Sequence, residues 1–239
     1  MSEPDFDVDQ LAAYLHLLPQ QVSRLADRGG LPGRKVGGAW RFSRAEIHHW
    51  LEDRIGVSGD DELAAMEQRW RRDAGAADEH PTVSAMLPLE AIAIPLEART
   101  RGSVITSMVE LASQSGLLWD PDKMTDAVRA REEMASTALD NGVALLHPRR
   151  PMPSILAAPF LALGVAPGGI PFGSGRSGLT DIFFLVCSVD DRGHLRTLAR
   201  LSRILGSPGC LEGLRDAADA PAAYEVVSQF EASVAGDEI

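Results

Sequence analysis

The sequence predicts two domains. A small N-terminal winged helix-turn-helix unit spans residues 1–54, and a C-terminal α/β domain with a mixed central sheet flanked by helices spans 86–239. Three observations carry this. The first fifty-odd residues hold two short amphipathic helical stretches, a Gly-Gly hairpin signal and a third helical stretch. From residue 86 onward, apolar β-rich runs alternate with amphipathic helical ones, the pattern of an α/β domain. The chain has 239 residues, 45% of them apolar and 24% charged, enough to bury an ordinary core in each of two domains.

The N-terminal elements follow from local chemistry. Asp7 is placed as the N-cap of a first helix, with Gln10 at capping-box spacing. Leu11, Ala12 and Leu15 share one face of it. Pro19 suits the first turn of a second helix, where its missing N–H is not needed. That helix buries Val22 and Leu25, turns Gln20, Gln21, Ser23, Arg24 and Arg28 outward, and ends at Gly29–Gly30. Arg34–Val36 and Trp40–Phe42 flank Gly37–Gly38–Ala39 and predict a tight hairpin. Ser43 then caps a final helix with Ile47, Trp50 and Leu51 inward.

Charge is distributed unevenly. The net charge is −11, of which residues 1–54 contribute −1, while residues 20–44 alone carry +5. An acidic protein repels nucleic acid, but a local basic patch does not. Gln20, Gln21, Ser23 and Arg24 can offer donors and acceptors to base edges. Arg28, with Arg34, Lys35 and Arg41 on the hairpin, can neutralise phosphates. DNA is the expected partner of this unit.

Residues 8–51, and above all GGLPGRKVGGAWRFSRAEIHHWL, resemble the excisionase-like DNA-binding domain related to the MerR-type winged helix. Pro19–Gln20–Gln21 departs from the family's Ser/Thr-rich helix start. The resemblance implies DNA binding; use of the same fold for protein contacts alone stays open. One small head reaches few phosphates, so a homodimer or a partner protein is expected.

Residues 55–85 read as a linker holding one polar helix, about 60–74, with Trp70 available to dock on a neighbour. In the C-terminal domain, strands are expected at 89–96, 143–147, 160–166 and 181–188. Helices are expected at 102–116, at 121–134 with Asp120 as cap, at 192–206, and around 211–217 and 222–231. The near-continuous apolar run at 181–188 suits a strand buried on both faces. The glycines of 166–178 read as a turn-rich loop, since no Gly-Lys-Ser/Thr follows.

The chemistry concentrates in REEMASTALDNGVALLH, residues 131–147. A neutral imidazole can accept and pass on a phosphoryl group, and phosphohistidine needs cations and hydroxyls around its oxygens. Here Arg131–Glu132, Ser136–Thr137 and the Asn141–Gly142 turn precede a short apolar run ending at His147. In type and spacing these resemble the phosphotransferase-system enzyme IIA domain of the fructose/mannitol and nitrogen-regulatory type, over roughly residues 87–235. The resemblance makes His147 the phosphoacceptor from an HPr-type carrier. It gives Arg131 and His194 roles in supporting the phosphorylated state, with Ser136 and Thr137 near the phosphate. Leu146 and Pro148 depart from the family's flanking Pro and Gly, and Arg149–Arg150 add positive charge beside the site.

Three functions remain open on these residues. The chain is a regulator in which phosphorylation of His147 controls DNA binding, a phosphocarrier that passes phosphate to a sugar-permease IIB component, or a binding protein that kept the fold without phosphorylation. The switch requires a solvent-open His147 ring with Arg131 and His194 close by. His16, His48, His49 and His80 lack metal-ligand spacing, so no metal is expected, and no cofactor. The acidic start without an apolar core is not a secretion signal, and no apolar run is long enough to span a membrane. The expected home is cytoplasmic, with Cys187 and Cys210 as reduced thiols.

Overall fold

The computed structural model describes residues 4–15, 17–57, 59, 62–65, 67–68, 80–173 and 178–236. The chain divides into two compact units, Met1–Ser58 and Gly59–Ile239.

The small unit runs α1 (Val8–Leu15), α2 (Pro19–Asp27), β1 (Arg34–Val36), β2 (Ala39–Arg41) and α3 (Arg44–Val57). The predicted capping box is present. Gln10 N donates to Asp7 Oδ1 at 2.8 Å, and Asp7 N donates to Gln10 Oε1 at 3.0 Å. β1 and β2 pair antiparallel with Val36 opposite Ala39, so the turn is Gly37–Gly38 alone and Ala39 belongs to the strand. Both glycines take positive φ, 59° and 82°, as the two-residue hairpin turn that matches strand twist requires. A further bridge joins Phe6 to Phe42. Leu11, Val22, Phe42 and Ile47 are fully buried and form the centre of this core. Leu25 is only half-buried, because the short α2 turns Val22 and Ala26, one helical turn apart, into the core, and Trp50 on α3 is half-buried too.

The larger unit begins with a 3-10 turn (Leu89–Ala91) and β3 (Ile92–Ala93). Next come α4 (Arg101–Gln114), α5 (Pro121–Met134), β4 (Val143–Leu146) and a 3-10 turn (Pro153–Ile155). The rest is β5 (Phe160–Ile170), β6 (Thr180–Cys187), α6 (Asp191–Gly206), α7 (Cys210–Asp216) and α8 (Ala220–Gly236). The sheet order is β3-β5-β6-β4. β3 and β5 pair parallel, β5 and β6 antiparallel, and β6 and β4 parallel, a mixed sheet. Phe183, Leu185 and Cys187 pack on one side against α4 residues Val104, Met108 and Ala112. Strand alternation sends Ile182, Phe184 and Val186, all buried, to the other face. There α6 and α7 meet β6. Each fully buried phenylalanine contributes about 1.5–3 kcal/mol of transfer free energy.

Three sequence expectations change. The stretch 89–96 is a 3-10 turn and a two-residue strand rather than one strand, because Pro88 and Pro95 bracket it and neither can donate to a ladder. β5 continues to Ile170, so the first part of the glycine-rich stretch is strand and not loop. The expected linker is partly built into the larger unit. Residues 62–65 and 67–68 are helical, and buried Glu67 accepts from Arg200 Nε at 2.8 Å and Arg203 Nη1 at 2.5 Å. Trp70 and His16 lie outside the described residues. From α8, Glu231 accepts from Val83 N (2.6 Å), Ser84 N (2.8 Å) and Ser84 Oγ (2.7 Å), pinning the start of the domain. Among the described residues, no helix is long and apolar enough to cross a membrane.

The turn that launches β4 is held from outside. Gly142 has φ 88°, and a Cβ there would lie 2.9 Å from Arg215 Nη2 and 3.0 Å from Asp181 Oδ1. Arg215 grips Asp181 through two nitrogens at 2.7 and 3.1 Å and donates to Asn141 O at 3.0 Å. Gly142→Ala is therefore expected to cost about 1–3 kcal/mol, through left-handed strain and displacement of this clasp. Chemical denaturation midpoints of the two proteins check it.

Candidate functional site

Parallel pairing of β4 with β6, Leu146 opposite Leu185, brings their carboxyl ends to one edge of the sheet. Ligand sites in α/β sheets gather at such edges. His147 follows β4 directly. Ser188 follows β6, and Asp190 caps α6 by accepting from Gly193 N at 2.7 Å, which sets His194 in the first helical turn. The two imidazoles consequently meet, with ring centroids 5.1 Å apart at 57°. The amino-terminal turn of a helix favours anionic charge.

The hydrogen bonds fix the chemistry of the first ring. His147 Nδ1 lies 2.8 Å from Leu145 O. A carbonyl only accepts, so Nδ1 carries the proton and, in the neutral ring, Nε2 carries the lone pair. His194 Nδ1 lies 3.0 Å from Ser188 Oγ. Both rings are buried, 3% and 1% exposed. This corrects the expectation of an open ring at 147. All four β4 residues and Pro148 are buried, and the ring folds back onto its own strand.

The other predicted groups are organised along the turn after α5. Buried Arg131 donates from Nη1 to Ala135 O at 2.9 Å. Ser136 Oγ accepts from Ala138 N at 3.2 Å. Thr137 N donates to Glu132 Oε1 at 3.1 Å, and Thr137 Oγ1 donates to the same oxygen. Arg101 Nη2 donates to Glu132 Oε2 at 2.9 Å and to Glu132 O. The structure thus brings His147 and His194 together and ties Arg131, Ser136 and Thr137 to their own turn. That turn meets β4 where Leu145 N donates to Thr137 O at 3.3 Å. Arg149 and Arg150 are exposed, and Arg150 pairs with Asp191 at 2.8 Å. Sequence reasoning missed Ser188, Arg101 and the cap at Asp190. Only the last had a signal, an aspartate opening an amphipathic run.

In the small unit, the predicted DNA-facing residues lie on α2 and the β1–β2 hairpin. Gln20, Arg24 and Arg28 are exposed, and Arg24 Nε donates to Gln20 O at 3.2 Å. Gln21 is exposed, but its Oε1 accepts from Leu18 N at 2.8 Å and so serves the helix start. Ser23 Oγ donates to Pro19 O at 3.1 Å, within its own helix. Arg34 pairs with Asp5 at 2.7 Å, and Lys35 with Asp27 at 3.4 Å. Arg41, half-buried, donates to Trp40 O at 3.2 Å. Trp40 Nε1 donates to Asp27 Oδ1 at 3.2 Å, and Lys35 Nζ lies 4.9 Å from its ring centroid, so the indole is a support for the hairpin.

Comparison with known proteins agrees with both units. The family described as "Phosphoenolpyruvate-dependent sugar phosphotransferase system, EIIA 2" matches residues 85–230. The chain belongs to this family. Residues 6–55 match a helix-turn-helix domain. The chain is 26% identical over 149 residues to the PTS system fructose-specific EIIA component of Haloferax volcanii, covering 62% of this chain and 95% of that protein. It is 23% identical over 151 residues to the PTS system fructose-specific EIIABC component of Bacillus subtilis, covering 62% of this chain but only 23% of that longer protein. Among solved structures, the EIIA fold is shared with Escherichia coli IIA mannitol (TM-score 0.53, 18% identity, 59% of this chain and 97% of that one). It is also shared with nitrogen regulatory protein IIA-Ntr of Neisseria meningitidis (TM-score 0.53, 20% identity, 61% and 98%).

Within this EIIA domain, the cap that places His194 is open to a direct check. Asp190→Ala is expected to lower stability by about 1 kcal/mol, the usual loss of an N-cap acceptor, and to lower the thermal midpoint accordingly. Asp190→Asn is expected to retain most of it.

Proposed function

We propose that this chain is a phosphotransferase-linked DNA-binding regulator in which the phosphorylation state of His147 controls DNA occupancy by the helix-turn-helix unit. The observation that carries the reading is the pair of adjacent imidazoles in a chain that also holds a helix-turn-helix domain. An HPr-type carrier is the donor: its bond to phosphorus breaks as His147 Nε2 bonds to phosphorus, and the proton stays on Nδ1, donated to the Leu145 carbonyl. Arg131 supplies positive charge, and His194 a ring nitrogen beside the transferred group. Because the His147 ring is buried, transfer proceeds from an opened state in which Nε2 is exposed. The added charge is about −1.5 to −2 near neutral pH, enough to alter a domain or dimer contact. A homodimer in the cytoplasm, presenting two heads to DNA, completes the proposal.

Incubation with labelled phosphoenolpyruvate, enzyme I and HPr is expected to label the wild-type chain and not His147→Ala. His194→Ala is expected to take label more slowly. No label on the wild type ends the phosphorylation reading. Label that passes on to a IIB component, from a chain that ignores DNA, points instead to a phosphocarrier. That second reading is favoured by the names of the fructose-specific relatives.

Retention of the full chain on mixed DNA should fall steeply with added salt. Arg24→Ala and Arg28→Ala are each expected to weaken it and to reduce the logarithmic salt slope by about 1. Unchanged slopes in both variants would remove α2 from the interface.

A further inference from the structure

The proposed phosphoacceptor has a fixed tautomer, and the cause lies one turn away from it. Ala138 and Ala144 form an antiparallel bridge, which puts Thr137 opposite Leu145. In such a pair the two residues exchange both N–H···O bonds. Half of that exchange is present, Leu145 N to Thr137 O at 3.3 Å. The reciprocal donor, Thr137 N, goes instead to Glu132 Oε1 at 3.1 Å. The Leu145 carbonyl oxygen, which would have taken it, accepts from His147 Nδ1 at 2.8 Å.

We infer that Glu132 is the positioning residue of the site: its carboxylate captures the Thr137 amide and so releases the Leu145 carbonyl to hold His147 as the Nδ1–H tautomer with Nε2 as nucleophile. This deepens the reading above and rests on it for its functional meaning, since a locked Nε2 lone pair matters only if phosphorus is to arrive there.

The chemistry of the captor is specific. Glu132 is 2% exposed and accepts from Thr137 N, Thr137 Oγ1 and Arg101 Nη2. A carboxylate accepts on both oxygens at once, which a carboxamide cannot do. Its charge is matched by Arg101, so the buried acid is paired. A glutamine there offers one acceptor and one NH2 to three donors. With its oxygen kept on the two Thr137 donors it releases Arg101 and leaves the amide captured, whereas a methionine at 132 gives the amide no acceptor.

The test reads the ring. In the wild-type chain, nitrogen NMR of His147 is expected to show the single Nδ1–H tautomer. A coupling through the hydrogen bond is expected from Thr137 N to the Glu132 carboxyl carbon, with none to the Leu145 carbonyl carbon. A Thr137–Leu145 coupling would overturn the inference without any variant. In Glu132→Met, which offers the Thr137 amide no acceptor, the ring nitrogens are expected to shift to a mixture of tautomers. The rate of label transfer from HPr is expected to fall by about tenfold or more, as when a catalytic imidazole is left in the wrong tautomer. Thr137→Val, which keeps the amide, is expected to keep the single tautomer. A folded Glu132→Met protein with the ring still wholly Nδ1–H would sink the assignment. These ring signals do not depend on phosphorylation. Failure of wild-type labelling would therefore remove the proposed function and leave the tautomer result standing.

Discussion

The parallel pairing of β4 with β6 is the constraint on which the rest of the larger unit depends. Parallel strands end at the same edge, and here each delivers a histidine within a few residues of its end: His147 directly and His194 through the capped first turn of α6. Because side chains alternate, a slip of one residue in this register would exchange the faces of β4 and carry His147 away from its partner. The register is protected by burial. Val143 to Leu146 and the residues opposite them are all buried, so a slipped strand loses its packing on both faces. The clasp of Arg215 on Asp181 and Asn141 guards the same register where β4 begins.

Much of this was legible in the sequence. Val104, Ile105, Met108 and Val109 lie on one face by helical periodicity, and all four are buried. The caps at Asp7 and Asp120 and the Gly37–Gly38 hairpin follow from residue type and spacing, and each is present. The motif from Arg131 to His147 spans the turn after α5 and the strand that ends beside His194. What periodicity could not convey is where polar groups spend their hydrogen bonds. Thr137 and Ser136 read as hydroxyls offered to a ligand, and both are engaged with their own turn. Ser188 carried no pattern at all, because its meaning depends on a ring six residues further along a helix. At 89–96 apolar content suggests one long strand, but two prolines that a ladder cannot use cut it to Ile92–Ala93.

The small unit shows the same limit in charge. A cluster of arginines and lysine reads as a surface awaiting phosphates, but in the folded unit Arg34 and Lys35 already have aspartate partners. Such exposed pairs are individually weak, and a phosphate can displace the carboxylate. The acids also make the hairpin less attractive to any polyanion.

The hold of Glu231 on Val83 and Ser84 has a mechanical meaning. It fastens the last helix to the stretch of chain that enters the larger unit from the side of the helix-turn-helix unit. The sheet is thereby enclosed in a loop closed by one carboxylate. Strain arriving at Val83 along the chain would be borne by this latch and would reach β3 only after it opened.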